Sequence, residues 1–292
     1  MSLDLKPGTY SIDEDEYHKL TAFSNTDLKL IDRSPAHYYE ASNLNPEHKE
    51  KEPTDAQIAG RILHCAILEP DQFDSRFVVV PADAPRKPTS QQRNAANPSE
   101  NSIRSILYWD EFELQYGGKQ IIKYDDQVKY QKIANSIRKH PELRGLMLGA
   151  QTEQTFIADD PVTGVQVRCR TDIYNRINDF PVAVDLKSAE DARPGPFGRA
   201  CYNYGYFHQD AFYRDVMEWA TGVKVDLFLF AVFEKEPPYA VKLYQSTDSA
   251  VSRAKAKYRT SLNLAAKCLE NGVWPAYETD IETVDYPAWA RD

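Results

Sequence analysis

Pro181-Val-Ala-Val-Asp-Leu-Lys187 decides the fold. Val182-Ala183-Val184 is the continuous apolar run of a buried central strand, and it leads directly into an acid and a base two residues apart. Working outward, residues 164–176 and 153–158 read as two preceding strands. Asn178-Asp179 separates the second from the third, and Asp159-Asp160-Pro161 with Gly164 separates the first from the second; all are turn-forming residues. Downstream, helical patterning resumes through 197–221, followed by strands at 225–233 and 239–245. A long last helix runs from about Thr247 to Asn271 and is closed by Gly272.

Upstream, Ser24 with Asp27 and the run Leu28, Leu30, Ile31 reads as a helix start, and Ser34-Pro35 interrupts or restarts it. A charged stretch from His48 to Lys51 follows. Between Thr54 and Leu68 the apolar positions Ile58, Ile62, Leu63, Ala66 and Ile67 recur at helical spacing, and Pro70 ends them. Phe77 to Val80 reads as a short strand. Residues 81–102, rich in Pro, Ala, Asn, Gln and Ser, have the composition of a mobile loop, and two helices are expected at about 103–116 and 125–139. This order predicts an α/β (α+β) core, a mixed central sheet flanked by helices. The expected division is an N-terminal helical segment over 1–50, a main domain over 51–272 and a tail over 273–292.

At 292 residues and 42% hydrophobic the chain can bury a sizeable core. No run approaches the roughly 20 apolar residues of a membrane span. The acidic start (Asp4, Asp13, Glu14, Asp15, Glu16) lacks the layout of a signal peptide, so a soluble, cytoplasmic protein is expected. Cys65, Cys169, Cys201 and Cys268 are scattered without a CxxC pair, which signals neither a zinc site nor a redox motif. A net charge of −9 runs against a uniformly basic nucleic-acid binder, yet acidic outer faces can coexist with one basic channel.

Side chains at i and i+2 on a strand share a face, so Asp185 and Lys187 project together. Asp172 lies on the preceding strand, thirteen residues earlier, where hairpin pairing brings its carboxylate beside Asp185. Two carboxylates hold a hard cation such as Mg²⁺, and a lysine can orient or help deprotonate water and offset charge in the transition state. The trio therefore suits metal-assisted hydrolysis of a phosphodiester.

The ordered set Gly60-Arg-Ile-Leu-His64 with Glu69, Arg170-Thr-Asp172, Val184-Asp185-Leu-Lys187 and Gln209-Asp-Ala-Phe-Tyr213 resembles the RecB-like branch of the PD-(D/E)XK nucleases, which have a restriction-endonuclease-like core. Within that branch, His64-Cys-Ala-Ile-Leu-Glu-Pro70 and Tyr206-Phe-His-Gln-Asp-Ala-Phe-Tyr213 are similar to the exonuclease VIII (RecE-type) family, over about residues 24 to 245. The resemblance implies metal ligation by His64, Asp172, Asp185 and the backbone carbonyl of Leu186, with Lys187 as the catalytic lysine. It implies that Gln209 and Tyr213 lie on a helix beside the active site and the DNA, and that Glu153 falls where the family often has an acid. It further implies Mg²⁺, with Mn²⁺ able to substitute, and 5′-to-3′ digestion of linear double-stranded DNA in phage or prophage recombination. A ring-shaped homotetramer and a RecT-type single-strand annealing partner follow from the same resemblance. An endonuclease of the same fold and a non-catalytic DNA-binding assembly protein remain the alternatives.

Taken alone, His64 suits a core histidine as well as a ligand, and Tyr213 suits packing as well as function. Arg86, Lys87 and Arg93 in the loop, Arg168 and Arg170 by the central strands, and Arg193 and Arg199 after the catalytic strand are the basic candidates for DNA contact. Tyr202, Tyr204, Tyr206 and Phe207 form an aromatic cluster that can stack on unpaired bases or pack in a core.

Overall fold

The computed structural model describes residues 5–49 and 52–286; Asp4, Glu50, Lys51 and the last six residues of the tail lie outside them. Local chemistry sets most element boundaries. β1 (Gly8–Tyr10) precedes α1 (Glu14–Lys19), capped by the Asp13 carboxylate on the Glu16 amide. Ser24 and Asp27 form a reciprocal capping box on α2 (Asn25–Arg33), and Ser34 caps α3 (Pro35–Ala41), with Pro35 in its first turn. A second capping box, Thr54 with Gln57, opens α4 (Asp55–Leu68). There follow α5 (Phe73–Arg76), β2 (Phe77–Val79), α6 (Ser90–Arg93), α7 (Glu100–Tyr116), β3 (Gln120–Ile122), α8 (Tyr124–Lys139) and α9 (Pro141–Met147).

The second half holds β4 (Gln151–Asp159), β5 (Gln166–Ile177), β6 (Phe180–Ala189), α10 (Pro194–Tyr204), α11 (Tyr206–Thr221), β7 (Leu227–Glu234), β8 (Val241–Tyr244) and α12 (Asp248–Asn271). The helical pattern over 197–221 is two helices, because Gly205 turns left-handed at φ +69°. The Lys29 side chain lies 3.4 Å from where a Cβ on Gly205 would sit.

Six strands form one mixed sheet in the order β1-β4-β5-β6-β7-β8, and β2 pairs with β3 in a small parallel ribbon. β6 and β7 are parallel, joined by α10 and α11, and the other main-sheet neighbours are antiparallel. Alternation along β6 sends Val182, Val184 and Leu186 into a cluster with Leu63 and Ile67 of α4 and Ile133 and Ile137 of α8. Ala183 faces the opposite layer, where Phe212 and Val216 of α11 meet Tyr258 and Leu262 of α12. The sheet is thus covered on both faces. Fully buried rings such as Phe156 and Phe228 each contribute about 2–3 kcal/mol to holding the layers. By the same alternation Asp185 and Lys187 fall on the α11 face.

Two expectations need revision. The segment over 1–50 is not helical throughout, since β1 adds an edge strand to β4; three residues are too few for a strand period to show. The stretch 81–102 contains α6 and is pinned to α7. Trp109 Nε1 donates to the Pro85 carbonyl at 2.8 Å, Ser105 Oγ to that of Arg86 at 2.5 Å, and Arg93 meets Asp110 at 2.5 Å. Its composition hides this because the anchors sit on the following helix. Among the described residues no helix is long and apolar enough to cross a membrane.

Candidate active site

β5 and β6 part where the chemistry begins. Their last bridged pair is Ile173–Val184, so the next step places Asp172 opposite Asp185. There the ladder gives way to a side-chain bond: the Leu186 amide donates to Asp172 Oδ2 at 2.6 Å. On the other side of β5, Glu153 stands across from Asp172, between the pairs Thr152–Ile173 and Gln154–Thr171. Glu153 has φ +51°, a left-handed conformation that costs a non-glycine residue about 1 kcal/mol. Arg170 Nε holds its carboxylate at 2.7 Å.

From the opposite layer α4 delivers His64, whose Nδ1 lies 3.4 Å from Glu153 Oε1 and 3.7 Å from Asp172 Oδ1. One ligand atom each from His64, Glu153 and Asp172 fall within 4.8 Å of one another. Asp185 stands beside this cluster. Its Oδ1 accepts from Gln209 Nε2 at 2.5 Å, and Lys187 Nζ is 2.6 Å from its Oδ2. The ring of Tyr206 lies under the Lys187 ammonium at 4.5 Å.

The electrostatics show an excess of negative charge. Burial pushes the Asp172 carboxyl up, His64 opposes this, and the Asp185 and Glu153 carboxylates add to it, leaving it at about 7. Burial disfavours an imidazolium at His64, but Asp172 and Glu153 outweigh it and raise the ring to about 9. Burial also works against the Lys187 ammonium, and Asp185 more than offsets it, so Lys187 stays charged.

This donor set fits a divalent cation. Asp185 Oδ2 is buried, and the close partner it has is the Lys187 ammonium at 2.6 Å. The neighbouring Asp172 carboxyl is held up first by burial and then by the Asp185 and Glu153 carboxylates, a crowding that a bound cation would relieve. Carboxylate oxygens with one imidazole suit Mg²⁺ or Mn²⁺.

The structure thus brings together His64, Asp172, Asp185, Leu186, Lys187, Gln209 and also Glu153. Tyr213, one turn beyond Gln209, packs edge-on against Phe228, and burial, with Tyr17 and the Asp185 and Asp172 carboxylates adding to it, holds its hydroxyl far above the usual tyrosine range. Arg170 is committed to Glu153 and to the Ile12 carbonyl, which makes it a positioning group. Arg168 is buried against Tyr17. Arg193 is exposed and paired with Asp191, and Lys87 is paired with Glu113. Arg86 and Lys87 line a separate cavity with Trp109, and Arg93 is not part of the catalytic cluster. All four cysteines are free and buried.

The site opens into a cavity of about 340 Å³ whose wall includes Glu14, Tyr17 and Arg61, with Arg61 Nε 2.9 Å from Glu14 Oε1. None of these three was among the sequence candidates. Asp13 ahead of Glu14-Asp15-Glu16, with His18-Lys19 at the far end, is a helix signature that would have marked α1 as structured.

Residues 24–287 match the family DUF3799, a PDDEXK-like domain of unknown function. The chain belongs to that family. This places it in the PD-(D/E)XK nuclease superfamily, whose members use divalent metals, and the mixed sheet between helical layers is the corresponding core. The chain is also similar to a crystal structure from Eubacterium rectale provisionally described as an exonuclease, at 14% identity, covering 95% of this chain and 96% of that one with TM-score 0.56. That likeness shows a shared fold. A second crystal structure, of SSO0001, aligns over 55% of this chain and 70% of its own at 14% identity, with TM-score 0.28. No curated protein sequence matches the chain.

Proposed function

We propose that the protein is a Mg²⁺-dependent exodeoxyribonuclease that degrades linear double-stranded DNA. The observation that carries this reading is the meeting of three carboxylates, a histidine and a charged lysine where β5 and β6 separate. His64, Glu153, Asp172 and Asp185 would hold the cation, and a bound divalent cation supplies Lewis acidity and lowers the pKa of water.

The chain's own residues do the rest. Lys187, kept protonated by Asp185, presents an ammonium that orients the attacking water and offsets charge on the phosphoryl oxygens. Gln209 fixes the Asp185 carboxylate, and Arg170 fixes Glu153. The Tyr206 ring beneath the Lys187 ammonium adds a cation–π contact that helps hold it in place.

The preference for DNA ends, the 5′-to-3′ direction and a role in phage recombination with an annealing partner rest on the resemblance of the ordered motifs to exonuclease VIII. So does assembly into a ring tetramer. The test is digestion of 5′- and 3′-end-labelled linear duplex beside closed circular DNA, with Mg²⁺ or EDTA, using the parent and Lys187→Ala. Magnesium-dependent loss from one end, absent on the circle and in the variant, supports the reading and gives its polarity. Cutting of the circle would favour an endonuclease, and no digestion with Mg²⁺ or Mn²⁺ would leave a DNA-binding assembly protein as the better account.

A further inference from the structure

A second cavity, of about 580 Å³, lies between α2, the α10–α11 junction and the first turns of α12. We propose that it is a nucleotide subsite taking one unpaired unit of a nucleic-acid strand, its phosphate against Lys29, Arg253 and Lys257 and its base against Tyr202 or Tyr204. The inference rests on the nuclease reading above only for the origin of that strand.

Charge is the first support. On a chain of net charge −9, three cations and a single carboxylate, Asp32, line this cavity. Asp32 is taken up by Lys257 at 2.8 Å, while Arg253 is exposed and has no ion-pair partner among the described residues. A guanidinium left open beside two ammonium groups is suited to a phosphate.

The aromatic rim is the second. Tyr202 and Tyr204 are 82% and 62% exposed, so neither ring is used by the core. Such rings are platforms for bases irrespective of sequence. Beneath them His208 is 6% exposed, with Nδ1 on Asn25 Oδ1 at 2.7 Å and a buried Nε2 that has no partner.

Position favours a strand over a free mononucleotide. The ring of Tyr204 is 5.8 Å from that of Tyr206, and the Tyr206 ring lies under the Lys187 ammonium. Lys29, which donates to the Tyr204 carbonyl at 2.7 Å, has its pKa lowered first by burial and then by the charge on Lys187. Through Tyr204 and Tyr206 the cavity therefore adjoins the catalytic lysine, and a strand held in the site can reach it across the tyrosines.

The test is anisotropy titration of the full chain with fluorescein-labelled dT8 in EDTA, where hydrolysis is blocked. Arg253→Glu and the Tyr202→Ala/Tyr204→Ala double variant should each weaken binding about tenfold. Lys132→Glu, the same charge change on exposed α8 in the other layer, should leave it unchanged. Parental binding in both pocket variants, absence of dT8 binding to the parent, or equal weakening by Lys132→Glu would each overturn the proposal. Competition by dTMP as strong as by unlabelled dT8 would assign the cavity to free mononucleotides and overturn the strand. Digestion of linear duplex is scored separately: pocket variants that lose dT8 while the parent digests nothing would uphold the subsite and remove the nuclease reading.

Discussion

Asp160 and Asp185 have the same chemistry, nearly the same burial and a cation each, yet their surroundings differ in one respect. Asp160 is saturated: Arg259 Nη1 lies 2.7 Å from both of its oxygens, and the Thr163 amide and hydroxyl complete the set. Asp185 has one partner on each oxygen, Gln209 on Oδ1 and the Lys187 ammonium beside Oδ2. A saturated buried acid stabilises the fold and can do little else. An unsaturated one, crowded by Asp172 and Glu153, holds coordinating capacity in reserve at some cost to stability.

The largest expected effect separates the two roles directly. Asp185→Asn should reduce DNA hydrolysis more than ~1,000-fold, about 4 kcal/mol of transition-state stabilisation, while stability falls by less than for Asp160 because relief of carboxylate crowding partly offsets the lost Lys187 pair. Single-turnover digestion and thermal melting of the same preparation measure both. A variant that melts much lower while its folded fraction still digests DNA would make Asp185 a second Asp160.

Asp160→Ala should do the reverse. Breaking a buried pair costs about 3 kcal/mol here, the low end of such losses because Arg259 keeps partial access to water. That corresponds to a melting temperature lower by about 6–10 °C, with turnover per folded molecule unchanged. Burial alone would raise the Asp160 carboxyl, but Arg259 and Thr163 outweigh it and hold it below its ordinary value of 3.8. A depressed acid contributes its stability above the unfolded value and loses it as pH falls through the folded one, so this contribution should fade only below about pH 4. Urea melts of parent and variant across pH 2–7 would show their stabilities converging in that range.

The same contrast governs what could be read in the chain before its structure. Asp172, Asp185 and Lys187 were legible because strand alternation and one hairpin fix their relative placement within a few residues. His64 and Gln209 come from helices far away in sequence, and only their place in an ordered set of motifs marked them. The role of Glu153 depends on a left-handed backbone inside β4 and on ion pairs with Arg170 and His64, neither of which has a local signature. The α1 wall of the cavity was missed although its capping pattern is plain, since a six-residue helix gives too few turns for an apolar period.

His208 supplies a third buried ionisable group, whose response has the same sign as that of Asp160 but falls at higher pH. Burial, then Lys29, holds the ring at about 4, against an ordinary 6.5. The unfolded chain therefore binds more protons than the native one between those values, and stability rises with pH across that window. About 3 kcal/mol should be lost on going from pH 6.5 to 4, above the range where Asp160 acts. In the urea melts His208→Gln should flatten the slope between pH 4 and 6.5. An unchanged slope would show that the His208 ring titrates alike in the folded and unfolded chain.

Gln209 gives the finest division between the two kinds of acid. Its amide holds Asp185 as Thr163 holds Asp160, and a hydrogen bond to a charged group contributes about 1.5 kcal/mol at the low end. The question is where that energy is expressed. If Gln209 positions Asp185 for chemistry, Gln209→Met should lower kcat about tenfold, with little change in melting temperature or in DNA binding measured in EDTA. If it merely satisfies a buried oxygen, the same 1.5 kcal/mol should appear as lost stability, with kcat intact. Gln209→Glu adds the deciding arm: a carboxylate beside Asp185 repels it and should lose activity at neutral pH, with partial recovery as the pH falls and the added acid is protonated, which a purely structural contact would not produce.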